Sequence, residues 1–227
     1  MNILTNAHII SYDAIIEALN KGESTKVGRL LCNHIETILQ RLKKWGVESG
    51  FLHRDLKIAS EVQKASLPQE LPAIPGLQCA RFYKPAHSVG GDYYDFLSFE
   101  DGRWGIAIGD VSGKGIGAAL IMATLQASLR AQTLRPASNI ETVMKNVNRL
   151  IRESSPAEFF ASLFYAEYRP ESRALRYVNA GHNPPVVLRQ QRGVCKLLPL
   201  HSGAVPVGAL DNSSYRSRIF QLEPGDV

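Results

Sequence analysis

Between Val27 and Trp45 the apolar residues Val27, Leu30, Leu31, Ile35, Ile38, Leu39, Leu42 and Trp45 recur at three- and four-residue steps, the spacing of one helix face. Ser24 or Thr25 is a candidate N-cap. Lys43 and Lys44 fall where the helix macrodipole favours cations, and Gly46 follows as a stop. A shorter helix over Tyr12–Leu19 is predicted ahead of it. From Leu52 a narrower stripe, Leu52, Leu56, Ala59 and Val62, suits pairing with a second helix, and Pro68 ends it.

The pattern then changes. Pro68, Pro72, Pro75 and Gly76 interrupt any helix and mark a linker or domain entrance. Strand-like runs follow at Leu77–Tyr83, Trp104–Ile108, Phe159–Tyr168, Ala174–Asn179, Val186–Arg189 and Arg216–Leu222. Two helical patterns, Gly117–Leu134 and Ile140–Ile151, sit together among them. Strands, a helix pair and strands again predict a layered α+β domain rather than an alternating parallel sheet.

Composition narrows the function classes. A chain of 227 residues that is 44% hydrophobic can bury a substantial core. Its formal charge of +5 falls short of a nucleic-acid footprint, and no apolar run is long enough to span a bilayer. Cys32, Cys79 and Cys195 are odd in number and widely spaced, which fits reduced thiols and a cytoplasmic location. None is followed six residues later by Arg, so the cysteine-nucleophile phosphatase pattern is missing.

The densest chemical signal is Val89-Gly90-Gly91-Asp92-Tyr93-Tyr94-Asp95, followed across a short hairpin by Gly109-Asp110-Val111-Ser112-Gly113-Lys114-Gly115. Asp beside Gly is commonly a turn residue. Two such pairs flanking one hairpin suggest instead that the strands bring carboxylates together at a sheet edge. Oxygen donors of this kind select hard cations such as Mg²⁺ or Mn²⁺. A nucleotide-binding loop at Gly113–Gly117 is the rival of another class. Only three residues separate Gly109 from Gly113, and Gly rather than Ser or Thr follows Lys114, which opposes a Walker loop.

With Leu67-Pro68, Pro85-Ala86, Ala180-Gly181-His182-Asn183-Pro184-Pro185 and Leu222-Glu223-Pro224-Gly225-Asp226, these segments form an ordered series over roughly Leu52–Val227. The series resembles metal-dependent serine/threonine phosphatase domains of the bacterial PP2C-like type, the stage II sporulation protein E and sigma-factor-regulator phosphatase family. The resemblance implies a four-layer αββα sandwich of two antiparallel sheets with two Mn²⁺ or Mg²⁺ ions at one end. Asp92 would bind one ion, Asp110 would bridge both, and the Val111 carbonyl would complete the first site. Ser112, Lys114, His182 and Asn183 are candidates for substrate contact. The implied reaction is in-line hydrolysis of phosphoserine or phosphothreonine without a covalent enzyme intermediate. The implied partner is a phosphorylated anti-sigma-factor antagonist.

The resemblance divides the chain into a helical regulatory or oligomerisation segment (1–50), a linker helix with a proline-rich entrance (51–76) and the phosphatase region (77–227). A homodimer through the N-terminal and linker helices is a further expectation. The family pattern continues past the Pro-Gly-Asp turn to a Thr-Asp-Gly or Ser-Asp-Gly metal motif and a later acidic ligand, whereas this sequence stops at Val227. The expectation is therefore weak metal binding, poor catalysis and an unpaired sheet edge in this polypeptide. The alternative is a non-catalytic regulatory or binding module that keeps the phosphatase architecture.

Overall fold

A computed structural model of the protein describes residues 50–133, 139–201 and 203–227. The chain divides into two compact units, Met1–Asp55 and Leu56–Val227. The first is described over residues 50–55, the opening turns of helix α1 (50–66). The predicted helices over Tyr12–Leu19 and Val27–Trp45 lie outside the described residues.

Strands β1 (Asp92–Ser98) and β2 (Trp104–Val111) form a hairpin, followed by helices α2 (Gly115–Thr133) and α3 (Ile140–Ser154). Then come β3 (Ala161–Arg169), β4 (Ala174–Ala180), β5 (Val186–Gln191), β6 (Val194–Pro199) and β7 (Arg218–Gln221). Five strands build one antiparallel sheet in the order β1-β2-β3-β4-β7, and β5 pairs with β6 in a two-stranded sheet.

Alternation along the strands separates two cores. Odd-numbered residues of the hairpin and β3, such as Tyr93, Ala107 and Leu163, face α2 and α3 and pack on Met122, Leu125 and Met144. Even-numbered residues such as Phe164 and Ala166 face the opposite way, toward Val187 and Leu198 of the small sheet. Helix pair, large sheet and small sheet are thus three successive layers of the αββα order among the described residues. Each fully buried Leu or Met side chain contributes about 1.5–3 kcal/mol, so the helix-side core dominates the stability of this unit.

Caps and polar staples fix the remainder. The Asn139 side chain accepts the Thr142 N–H at 2.8 Å and starts α3. Buried Asn148 accepts from the Gly208 N–H at 2.8 Å and the Tyr215 hydroxyl at 3.0 Å while donating to the Leu210 carbonyl at 2.9 Å, which ties the segment before β7 to α3.

Three differences from the sequence reading stand out. Leu77–Tyr83 forms no ladder: Leu77 and Cys79 pack inward by alternation, which satisfies the period-two pattern without strand pairing. β6, with mostly exposed residues, carried no clear pattern and was missed. Asp110 does not follow its strand at a sheet edge. It lies inside β2, which is flanked by β1 and β3, so an inner strand presents it at one end.

Candidate metal and phosphate site

The hairpin register places Asp92 directly opposite Asp110. Residues so paired point to the same sheet face with Cβ atoms about 4.5–5.5 Å apart, close enough for two carboxylates to share a cation. Both side chains are exposed and line one cleft of about 560 Å³, whose floor includes Phe96, Ile106 and Ile108 and whose polar end includes His182. Partial burial, reinforced by the Asp92 charge, raises the Asp110 carboxyl above its ordinary range, with His182 working in the opposite direction. Two like charges held together by a backbone ladder form a place where a divalent cation relieves repulsion.

The Val111 carbonyl is the third oxygen that the resemblance implies. Gly91 accepts the Val111 N–H at 3.3 Å, and a Cβ at Gly91 would lie 2.8 Å from the Val111 carbonyl oxygen. A side chain there would cover the donor that glycine leaves open. Carboxylate, carboxylate and carbonyl form an all-oxygen set that fits Mg²⁺ or Mn²⁺. Among the described residues no group of three or more His, Cys, Asp or Glu side chains could hold a metal.

On the next strand Ser162 lies opposite Asp110. Its hydroxyl is 2.9 Å from His182 Nδ1, and the His182 N–H donates to Asn179 Oδ1 at 2.8 Å. Burial lowers the His182 pKa, while Asp110 and Asp92 oppose that shift. The sharp approach to His182 needs glycine, because Gly181 has φ +70° and a Cβ there would meet Pro206 Cγ at 2.5 Å. The ring is thereby held beside the paired carboxylates.

The other expected positions are placed differently. The Ser112 hydroxyl accepts the Phe160 N–H at 3.0 Å and donates to the Glu158 carbonyl at 3.3 Å, joining the loop after β2 to the segment before β3. Lys114 lies at the start of α2, in a separate concavity with His87, Ser88 and Leu56. Asn183 is exposed and outside the residues lining the Asp92–Asp110 cleft. Asp95 points to the helix side, where its buried carboxylate binds Arg130 Nε at 2.7 Å and Nη2 at 3.0 Å and accepts the Tyr93 hydroxyl at 3.0 Å. Asp226 of the Pro-Gly-Asp turn is paired with Arg189 at 2.6 Å. Burial raises the Cys79 thiol, so it is not poised as a thiolate.

Sequence reasoning missed Ser162 and Gln63. The signal for Ser162 was a hydroxyl in the otherwise apolar run Ala161–Ala166. For Gln63 it was a polar residue on the packed side of α1, one turn before Leu67.

A five-stranded antiparallel sheet backed by two helices, with paired aspartates at one end of the face opposite those helices, defines a PP2C-type fold. The SiaA-PP2C domain of Pseudomonas aeruginosa shares this fold with a TM-score of 0.61 at 22% identity, over 78% of this chain and 70% of that one. The chain belongs to the stage II sporulation protein E (SpoIIE) family, whose family model matches residues 100–227. It is similar to phosphoserine phosphatase RsbU of Bacillus subtilis, at 31% identity over 176 residues, 76% of this chain and 50% of the relative. It is also similar to phosphoserine phosphatase RsbP of the same organism, at 30% identity over 168 residues, 72% of this chain and 40% of the relative. The chain thus spans half or less of the length of these curated relatives. No helix among the described residues is long and apolar enough to cross a membrane.

Proposed function

We propose that this chain carries the first metal site of a Mn²⁺- or Mg²⁺-dependent protein phosphatase that hydrolyses phosphoserine or phosphothreonine on an anti-sigma-factor antagonist. The observation that carries this reading is the cross-strand pair Asp92–Asp110 at the polar end of a cleft that also presents His182. Membership of the SpoIIE family and the phosphoserine phosphatase names of RsbU and RsbP support the choice of substrate class.

A bound cation would supply charge neutralisation and activation of water. Asp92, Asp110 and the Val111 carbonyl would hold it. His182, oriented through Ser162 and Asn179, faces the same cleft and is the expected side chain best placed to donate a hydrogen bond to a phosphoryl oxygen. Ser112, Lys114 and Asn183 contribute to the loops around it. In this reading residues 77–227 are the phosphatase region, 51–76 the linker helix and entrance, and 1–50 a regulatory segment, all in the cytoplasm.

Release of phosphate from a phosphoserine protein, measured with and without Mn²⁺ for the parent and for Asp92→Asn, tests the proposal. Mn²⁺-dependent release by the parent, lost in Asp92→Asn, is expected. No release by the parent at any Mn²⁺ concentration favours a non-catalytic regulatory or binding module.

Association is the second part of the proposal. Leu56 is half-buried, whereas Leu52 and Val62 of the same helix are 56% and 64% exposed. An apolar stripe left in water is the surface a second copy of α1 would cover. Sedimentation of the parent as a dimer, and of Val62→Glu with association weakened by about tenfold or more, is expected because a charge would be placed in an apolar seam. A monomeric parent removes the dimer.

A further inference from the structure

The side of α1 that packs into the domain reads Leu56, Ser60, Gln63, with Leu67 just past its end, and Gln63 is the large polar residue among them, only 8% exposed. Both ends of its amide are bonded to Gly90. Nε2 donates to the Gly90 carbonyl at 2.8 Å, and Oε1 accepts the Gly90 N–H at 3.0 Å. A primary amide offers the same donor and acceptor as a peptide group, so Gln63 pairs with Gly90 as a neighbouring strand would. The helix end that carries it is itself held. Ser66 Oγ donates to the Gln63 carbonyl at 2.8 Å, and Gln126 Nε2 of α2 donates to the Ser66 carbonyl at 2.8 Å.

Gly90 is two residues from Asp92 and adjacent to Gly91, whose carbonyl receives the Val111 N–H and whose missing side chain leaves room for the Val111 carbonyl. A backbone of two consecutive glycines has more freedom than any other pair, and nothing in its own side chains can hold it. The Gln63 amide supplies that constraint from outside the loop. Removing it frees the backbone immediately ahead of one carboxylate and beside the carbonyl donor.

We infer that Gln63 is a positioning residue for the divalent-cation site: by clamping both polar groups of Gly90 it fixes where Asp92 and the Val111 carbonyl stand. Cation affinity therefore depends on the seating of α1 through one side chain. The inference rests on the reading of Asp92 and Asp110 as cation ligands.

The test uses the intact chain with three variants. Gln63→Met keeps the volume and removes both hydrogen bonds to Gly90. Gln63→Asn keeps the amide but draws it back by one methylene, out of reach of Gly90. Val147→Ala, in α3, lowers core stability away from α1. Mn²⁺ dissociation constants are read from the electron paramagnetic resonance of free Mn²⁺, and amide hydrogen exchange of Gly90 is followed without metal. Gln63→Met should weaken Mn²⁺ by about 10–100-fold, as loss of groups that orient metal ligands does, with faster exchange at Gly90. Gln63→Asn should weaken it in the same direction, and Val147→Ala should bind Mn²⁺ as the parent does. Parental affinity in Gln63→Met, or equal weakening in Val147→Ala, overturns the positioning role. A parent that binds no Mn²⁺ overturns the cation reading itself, and this inference falls with it. If Gln63→Met does not fold, the comparison of Gln63→Asn with Val147→Ala decides by the same criteria.

Discussion

Asp110→Asn should lose the rise in melting temperature that Mn²⁺ is expected to give the parent protein. Binding to the folded state alone stabilises by about 2.7 kcal/mol at a cation concentration one hundred times Kd. For a chain of this size that is roughly 5–11 °C, measurable in an ordinary thermal scan. Asp110 is the residue to change because it stands between β1 and β3, opposite Asp92 on one side and Ser162 on the other. Asn keeps its shape and its place in the ladder while removing the charge. The metal-free variant should melt no lower than the parent, since the substitution also removes repulsion from Asp92. An Asn variant that responds to Mn²⁺ as the parent does removes Asp110 from the ligand set.

Arg130→Met should cost about 3–5 kcal/mol of stability while leaving the Mn²⁺ response of the folded fraction intact. The cost is asymmetric across this ion pair. The Asp95 side chain is 0% exposed and the Arg130 side chain 48% exposed. Removing Asp95 leaves a guanidinium that water can solvate. Removing Arg130 leaves a carboxylate buried in the helix-side core with the Tyr93 hydroxyl and the Phe96 N–H as donors. Asp95→Asn should therefore be milder than Arg130→Met, and the double variant should recover part of the loss. Chemical denaturation with and without Mn²⁺ measures all three. An Arg130→Met protein as stable as the parent would show that the pair carries little of the packing between β1 and α2.

The helices past residue 110 and most strands were legible because their apolar spacing matches their burial: Val143, Val147 and Ile151 lie on the inner side of α3 as the pattern requires. β1 was harder. Asp92-Tyr93-Tyr94-Asp95 reads as a glycine-flanked turn, and its aromatic and acidic residues give no clean alternation until the strand is seen. Once it is, the three-residue step from Asp92 to Asp95 sends the two carboxylates to opposite faces, one to the cleft and one to Arg130. Asp92 and Asp110 could be paired from their motifs. Their register could not, because hairpin register depends on the Phe99–Arg103 turn, where the Phe99 N–H bonds the Arg103 carbonyl at 3.0 Å. Gln63 and Ser162 each interrupt an apolar pattern, but what that polar group does depends on a partner 27 or 20 residues away, which local periodicity does not identify.

The ligand pair is written into strand pairing, and that sets what the hairpin can tolerate. Extra residues at the tip, around Asp101 and Gly102, leave every rung between Trp104 and Asp110 unchanged. A single residue inserted before Asp110 within β2 would rotate that carboxylate to the side where Ala107 and Val111 pack beneath the helices, and bring a glycine or an aliphatic side chain to the mouth of the cleft. Length variation at this hairpin should thus be free at its apex and forbidden along its arms.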